Sequence, residues 1–393
     1  MPSKNLKILL VGEYSRLHNS LKEGLLALGH EVTLVSTGDY FKKFPSDILL
    51  KPKYVSGFSK KVKVGLYKLF GIDITSLSIK NQLFRHSDTL KGYDVVQLIN
   101  ESPFGIDASI EKEIISFLHQ NNKSLYLLSC GADNSSISFA YAKKFRYSIL
   151  TPLFEKKVPE HEYEYALKYL KPNFTALHDY IFDIMNGVMA SDMDYHIPLQ
   201  GHEKYLGLMP NPINISKLEY IPIEIEDKIN IFHGINRANF FKKGNDYFEA
   251  ALDLIVEKYP DKVAVITVEN LPYAEYIEKY NSAHILLDQA LSYDQGYNAL
   301  EAMAKGKVVF TGAEKEFLEY FNLKEDEVCI NALPDVDYIF KKLEDLILNP
   351  DKIHQISKNA RAFIEREHDY VAVAEKYLNA WEKGVKKNSV DGS

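Results

Sequence analysis

Leu286–Phe310, LLDQALSYDQGYNALEAMAKGKVVF, decides how this chain folds. It reads as the end of a strand, a polar loop, a helix and a second strand. Asp288, Asp294, Gln295, Gly296, Tyr297 and Asn298 crowd the loop, and Glu301 lies near the start of the helix. Ala299, Leu300, Ala302, Met303 and Ala304 are strong helix formers. Gly306 stands where a helix C-terminus favours a left-handed residue, and Val308, Val309 and Phe310 make a short buried strand. A polar loop that runs into a helix N-terminus at the end of a parallel strand suits phosphates and sugar hydroxyls.

Bulk properties bound what surrounds this stretch. A chain of 393 residues holds two or three domains. A net charge of −7 argues against general nucleic-acid binding, though not against a local basic patch. Two cysteines, Cys130 and Cys329, are too few for a disulfide framework or a cysteine-built zinc site, and they fit a reducing compartment. The apolar run Ile8–Val11 is too short for a signal-peptide core, and no later run approaches membrane-spanning length. The expectation is a cytoplasmic protein.

From the N-terminus, Lys7–Gly12, Glu31–Ser36, Asp94–Ile99, Ser124–Ser129 and Gly187–Ala190 read as buried strands, with helices His18–Leu28 and Ile110–His119 between them. The tyrosine- and lysine-rich Ser136–Met185 reads as mostly helical. Gly12-Glu13-Tyr14-Ser15-Arg16-Leu17-His18 is not a G-x-G-x-x-G fingerprint. Gly12, Tyr14 and His18 are still cleft candidates, because they follow the first strand. A helix-surface role is the plainer reading of His18. Residues 51–91 carry nine lysines and arginines against Asp73 and Asp88, interleaved with apolar side chains. A solvated basic face is the plain reading, and a patch for anionic lipid head groups or a polyanionic acceptor the sharper one. The latter places the protein at the inner face of a membrane.

Leu208-Met209-Pro210-Asn211-Pro212-Ile213-Asn214 interrupts regular structure and marks a boundary. Strand and helix alternation then restarts at Lys228–His233. The expected organisation is α/β, with two Rossmann-like doubly wound domains facing a cleft. Residues 1–207 form the first domain, 208–227 the linker and 228–369 the second domain. Helix 370–383 joins the first domain, and 384–393 form a disordered tail.

The second domain has two polar loops at strand ends. In one, His233-Gly234-Ile235-Asn236-Arg237 leads to Lys242-Lys243-Gly244 and a helix. Arg237 and one of Lys242 or Lys243 can offer positive charge to a diphosphate. In the other, Gly296 lets a ligand approach the backbone, and Glu301 can accept two hydrogen bonds from vicinal ribose hydroxyls. Each residue alone is equally well read as surface charge or helix capping. It is their joint placement that points to a nucleotide-diphosphate-sugar site. Asp192-Met193-Asp194 spells the D-x-D associated with metal-bound sugar nucleotides, but three letters recur by chance and no glycine-rich metal loop follows. No metal is expected.

The stretch Gly296–Phe310 resembles the retaining two-domain GT-B glycosyltransferases of the large group 1 family, glycosyltransferase family 4. Gly296, Glu301, Ala302, Met303, Ala304, Gly306 and Val309 hold the family's pattern. Leu9-Leu10-Val11-Gly12, Gly29-His30-Glu31-Val32, Pro210-Asn211-Pro212-Ile213-Asn214 and His233-Gly234 through Lys243-Gly244 resemble further family motifs, in order along nearly the whole chain. Val308 replaces the usual proline, and Tyr293 takes the place of the first glutamate of E-x₇-E, with Asp294 beside it. Cys130-Gly131-Ala132-Asp133 replaces the histidine of the first domain.

The resemblance implies that Arg237, Lys243 and Asp133 act in catalysis. Gly234, Lys242, Gly296, Asn298 and Glu301 would bind the donor, and Asp294 to Tyr297 would line its sugar. The acidic sugar contact falls to Asp288, Asp294 or Gln295. The implied reaction is hexosyl transfer from an NDP-sugar to a saccharide or lipid-linked acceptor hydroxyl, with retention, in polysaccharide or glycolipid assembly. It needs no metal if cations and helix dipoles stabilise the leaving diphosphate. Two rival readings are a catalytically inactive sugar- or nucleotide-binding module and a nucleotide-sugar epimerase of the same architecture.

Overall fold

A computed structural model describes residues 5–39, 44–269 and 273–391. The first domain runs β1 (Lys7–Val11), α1 (Leu17–Ala27), β2 (Glu31–Ser36), β3 (Ile48–Leu49), α2 (Gly57–Phe70), α3 (Ile74–Phe84), β4 (Val95–Leu98), α4 (Ala108–Asn121), β5 (Leu125–Ser129), α5 (Asn134–Tyr141), α6 (Thr151–Phe154), α7 (Glu164–Leu167), α8 (Pro172–Ile184), β6 (Gly187–Ala190), α9 (Met193–Leu199) and β7 (Tyr205–Leu208). The second domain runs β8 (Ile229–Ile235), α10 (Asn245–Lys258), β9 (Val263–Glu269), α11 (Tyr273–Asn281), β10 (Ile285–Leu287), α12 (Tyr297–Ala304), β11 (Val308–Thr311), α13 (Lys315–Phe321), β12 (Ile330–Asn331), α14 (Val336–Leu348) and α15 (Pro350–Glu367). A last helix, α16 (Tyr370–Asp391), follows.

Both sheets are parallel. The first has the order β3-β2-β1-β4-β5-β6-β7 and the second β12-β11-β10-β8-β9. Strand order reverses beside β1 and beside β8, so loops diverge there at the C-terminal sheet edges and leave room for ligands. The apolar runs follow from burial on both faces. In β1, Ile8 and Leu10 pack under α1 and α16, while Leu9 and Val11 face the opposite layer with Ile114 and Leu118 of α4. In β8, Ile229 and Ile231 meet Phe248, Leu252 and Leu343, whereas Phe232 joins the layer of Leu300, Met303 and Phe363.

α16 returns to the first domain. Trp381 is buried, donates its indole N–H to Gln97 Oε1 at 2.8 Å, and accepts the Tyr126 hydroxyl on its carbonyl at 2.5 Å. The disordered tail expected from Gly384 is instead helix as far as Asp391, the last described residue. Within this helix, Gly384 lets the backbone pass close to Tyr126, whose ring lies 2.7 Å from where a Cβ would stand. At Gly306 the expected left-handed turn is present, with φ +83°.

The stretch 51–91 contains α2 and α3. α3 begins at a proper cap, where Asp73 accepts the Thr75 N–H at 2.9 Å. No described helix is long and apolar enough to cross a membrane.

Candidate functional site

β8 and β10 end side by side, with Ile285 to Leu287 in register with Ile231 to His233. Their loops are tied together twice. Ala290 N–H donates to the Lys243 carbonyl at 2.8 Å, and Lys243 Nζ lies 2.8 Å from Asp288 Oδ1. Asn298, in the first turn of α12, donates to the same carboxylate oxygen at 3.1 Å. Gly244 holds φ +72° between the lysine and α10, and a Cβ there would sit 3.0 Å from Ala290. The other Asp288 oxygen, Oδ2, is buried without a hydrogen-bond partner. A buried carboxylate oxygen left so is a strong acceptor, costly to leave unmatched.

Arg237 sits on a single 3₁₀ turn after β8 and is half exposed. Its guanidinium pairs with Glu269, with Nε 3.0 Å from Oε2, and Glu249 lies 3.6 Å away. Lys242 turns toward the first domain, 4.5 Å from the ring centre of Tyr165 and 3.1 Å from the Glu162 carbonyl. Of the two lysines, Lys243 is the one that joins the strand-end loops. Gly234 lies within β8 itself.

Glu301 lines a cavity of 20 Å³ with Arg16, Ser20, Asn214, Lys217 and Tyr297. That volume admits one water-sized group and no ribose. Glu301 thus faces the junction between linker, α1 and α12.

The residues expected to line the sugar hold contacts to the first domain, to the linker and within their own domain. Asp294 accepts the Met193 N–H at 2.9 Å. Gln295 donates to the Gly312 carbonyl at 2.7 Å. Tyr297 donates to the Pro212 carbonyl at 2.9 Å. Gly296 caps α12 with ordinary extended backbone. Tyr293 is buried between Phe145 and Tyr147 of the first domain, and its hydroxyl accepts the Arg146 N–H at 2.8 Å. Arg146 completes this seam by reaching Glu314 at 2.5 Å and Glu316 at 2.7 Å. Of Asp288, Asp294 and Gln295, Asp288 alone keeps a buried side-chain atom without a partner.

In the first domain, Gly12 packs tightly under Ile99 and Pro103, and Tyr14 donates to the Ser102 carbonyl at 3.1 Å. His18 is fully buried rather than on the helix surface. Its Nδ1 lies 2.8 Å from the Gly12 carbonyl, and burial pushes its pKa down to about 3, so the ring is neutral and shapes the loop after β1. Asp133 is also buried. It caps α5 in a reciprocal box with Ser136 and accepts the Ser129 hydroxyl. The aspartate expected in catalysis is thus engaged in holding its loop.

Asp192, read as half of a D-x-D motif, caps α9. Across the seam, Asp192, Asp194 and Asp294 bring carboxylate oxygens within 4.8 Å of one another, the one such group among the described residues with the ligand types and spacing to hold a cation. Burial, then mutual repulsion, raises Asp192 and Asp294 well above the ordinary carboxylate range, and burial raises Asp194 to about 6. The D-x-D signal was visible in the sequence, but its partner Asp294 lies 100 residues beyond Asp194 in the chain.

Residues 237–379 match the family described as glycosyl transferase-like. No curated protein sequence matches the chain. Among solved structures, sucrose-phosphate synthase from Thermosynechococcus elongatus superposes with a TM-score of 0.61 at 14% identity, over 96% of this chain and 99% of the synthase. HepE of Anabaena, solved with UDP and glucose, gives 0.59 at 10% identity, over 96% and 100%. A Listeria monocytogenes protein described as a UDP-N-acetylglucosamine 2-epimerase gives 0.51 at 12% identity, over 98% and 97%. At such identities the likeness establishes architecture. The chain has the GT-B fold of two facing parallel-sheet domains.

Proposed function

We propose that this protein is a retaining glycosyltransferase of the group 1 type, family 4, that moves a hexosyl group from an NDP-sugar to the hydroxyl of a saccharide or lipid-linked acceptor, in polysaccharide or glycolipid assembly. The observation that carries the proposal is the glycosyl transferase-like match over residues 237–379, which contains Arg237, Lys243, Asp288 and Glu301. In this reading the bond from the anomeric carbon to the diphosphate breaks, a bond to the acceptor oxygen forms, and the acceptor proton passes to the leaving diphosphate. Lys243 and Arg237 face the diphosphate as charge develops on it, with the amides of α12 nearby. Asp288 Oδ2 accepts a donor-sugar hydroxyl. Glu301 takes the ribose once the junction at Arg16 and Lys217 opens, and closure then excludes water. These cations can stabilise the leaving group without a metal. HepE, solved with UDP and glucose, supports a nucleotide-sugar donor.

The test is a panel of NDP-sugars measured for thermal stabilisation and for slow hydrolysis of the donor. One donor should raise the melting temperature and be hydrolysed slowly without acceptor. If none binds, the proposal fails at its base. A second reading, a binding module without transfer, is favoured by the burial of Tyr293 and Asp133 in structural roles. Donor binding with neither hydrolysis nor transfer to any acceptor would select it.

A further inference from the structure

α2 has no buried side chain across its 14 residues. Phe58 is 80% exposed, Leu69 76% and Phe70 68%, and Val62 is also open to solvent. Phe58, Val62 and Leu69 are spaced four and seven residues apart, so they form one stripe along the helix. A surface helix ordinarily turns such a stripe inward. Here it points outward, which marks a contact surface.

The charge around the stripe is one-sided. Between Asp47 and Asp73 the chain has six lysines and no acidic residue, although the whole protein carries −7. Lys63 is tied to Asp73 at 3.4 Å, while Lys60, Lys61 and Lys68 are exposed. A polyanion would engage the lysines and gain nothing from an exposed phenylalanine and leucine. An apolar partner groove would take the stripe and gain nothing from the lysines. A lipid interface uses both, with the apolar side chains at the acyl boundary and the lysines among anionic head groups.

We infer that α2 docks this protein on an anionic membrane surface, through Phe58, Val62 and Leu69 with Lys61 and Lys68 beside them. α2 follows the C-terminal end of β3, at the sheet edge that carries the Gly12 and Asp133 loops. Docking there sets the rim of the interdomain cleft against the bilayer. The contact stands whether or not sugar transfer is the activity.

The full-length chain is sedimented with vesicles of phosphatidylcholine alone and of phosphatidylcholine mixed with phosphatidylserine, at low and high salt. Binding is expected to the mixed vesicles and to weaken with salt. F58S/L69S and K61E/K68E should each lower partitioning by about tenfold or more. Because these residues are exposed, melting temperature and the response to NDP-sugars should stay at wild-type values, which separates failure here from failure of the transferase reading. No binding to the mixed vesicles at low salt overturns the inference. So does binding that F58S/L69S leaves intact, or binding indifferent to phosphatidylserine. Equal affinity for heparin that survives F58S/L69S would assign the surface to a polyanion instead.

Discussion

Lys243 and Asp288 form an ion pair of 2.8 Å across the ends of two neighbouring strands, and the aspartate is almost completely buried. The lysine proposed to face a donor diphosphate thus already has a counter-charge. That partner orients it, and a backbone hydrogen bond from Ala290 holds the lysine's own carbonyl. Asn298 shares the same Asp288 oxygen, so the first turn of α12 is part of the arrangement.

Removing the lysine leaves a buried carboxylate without its cation. Lys243→Met should lower stability by about 1–3 kcal/mol, less than a fully buried pair because the lysine is partly exposed. Asp288→Asn keeps the shape and the contact from Lys243, but places an N–H donor where a sugar hydroxyl would donate. It should weaken NDP-sugar binding by about tenfold while changing stability less than Lys243→Met does. Calorimetric titration with the donor and thermal melting separate the two effects. Unchanged donor affinity in Asp288→Asn removes Asp288 from the site.

The seam between the domains should respond to Arg146. Its guanidinium spans Glu314 and Glu316, and it also lies 4.7 Å from the ring centre of Tyr293. Arg146→Ala should cost about 1–2 kcal/mol, since the arginine is partly exposed. It should also increase the radius of gyration in small-angle scattering as the domains part. An unchanged radius with lowered stability would mean that the seam stabilises the fold without governing closure.

Much of the architecture was legible because it rests on local chemistry. In KILLV four apolar residues run together because both faces of the strand are buried, which reads as a parallel strand. Pro350 at the start of α15 and Gly306 after α12 are local signals as well. β3 has only two residues, and β7, YLGL, is mostly half-buried and broken by Gly207, and both escaped. The candidate site was legible only in part. Arg237, Lys243 and Glu301 stand near strand ends and helix starts, where sequence order implies position. Their counter-charges, Glu269 and Asp288, are set by tertiary packing. The seam was invisible for the same reason. Arg146 and Glu314 are 168 residues apart, and only the folded chain makes them neighbours.

Asp194 gives the seam a pH dependence. Its folded pKa, about 6, lies above the ordinary aspartate value of 3.8. A raised carboxyl pKa means that the folded state prefers the protonated form. The associated stability is full below the unfolded pKa and is lost as pH rises through the folded value. Asp192 and Asp294 are also raised, with burial the largest cause, and shift stability in the same direction. Asp194→Asn retains an oxygen for the Ser292 hydroxyl, now 2.6 Å away, and removes one charge. It should stabilise the protein by about 1–3 kcal/mol near pH 8 and have little effect near pH 4. Melting curves across that range check it. Equal stabilisation at both ends would show that packing, not charge, sets the difference.

α16 packs back across the first domain. α1 and α16 cross at Gly24, where an added Cβ would lie 2.1 Å from the Tyr370 carbonyl oxygen and 2.9 Å from the Ala374 Cβ. The nearest obstacle is backbone, which cannot rotate aside as a side-chain tip can. In an open helix, glycine to alanine would stabilise by nearly 1 kcal/mol. Here the helices must separate, and the loss of packing around Leu21, Val373 and Tyr377 outweighs that gain. Gly24→Ala should therefore destabilise the protein by about 2 kcal/mol or more. Hydrogen exchange should show the opening in α16 and in Tyr126 and Gln97, the residues that hold Trp381. If Gly24→Ala stabilises the protein, α16 does not pack on α1 at this distance, and its strap across the first domain is looser than the helix crossing requires.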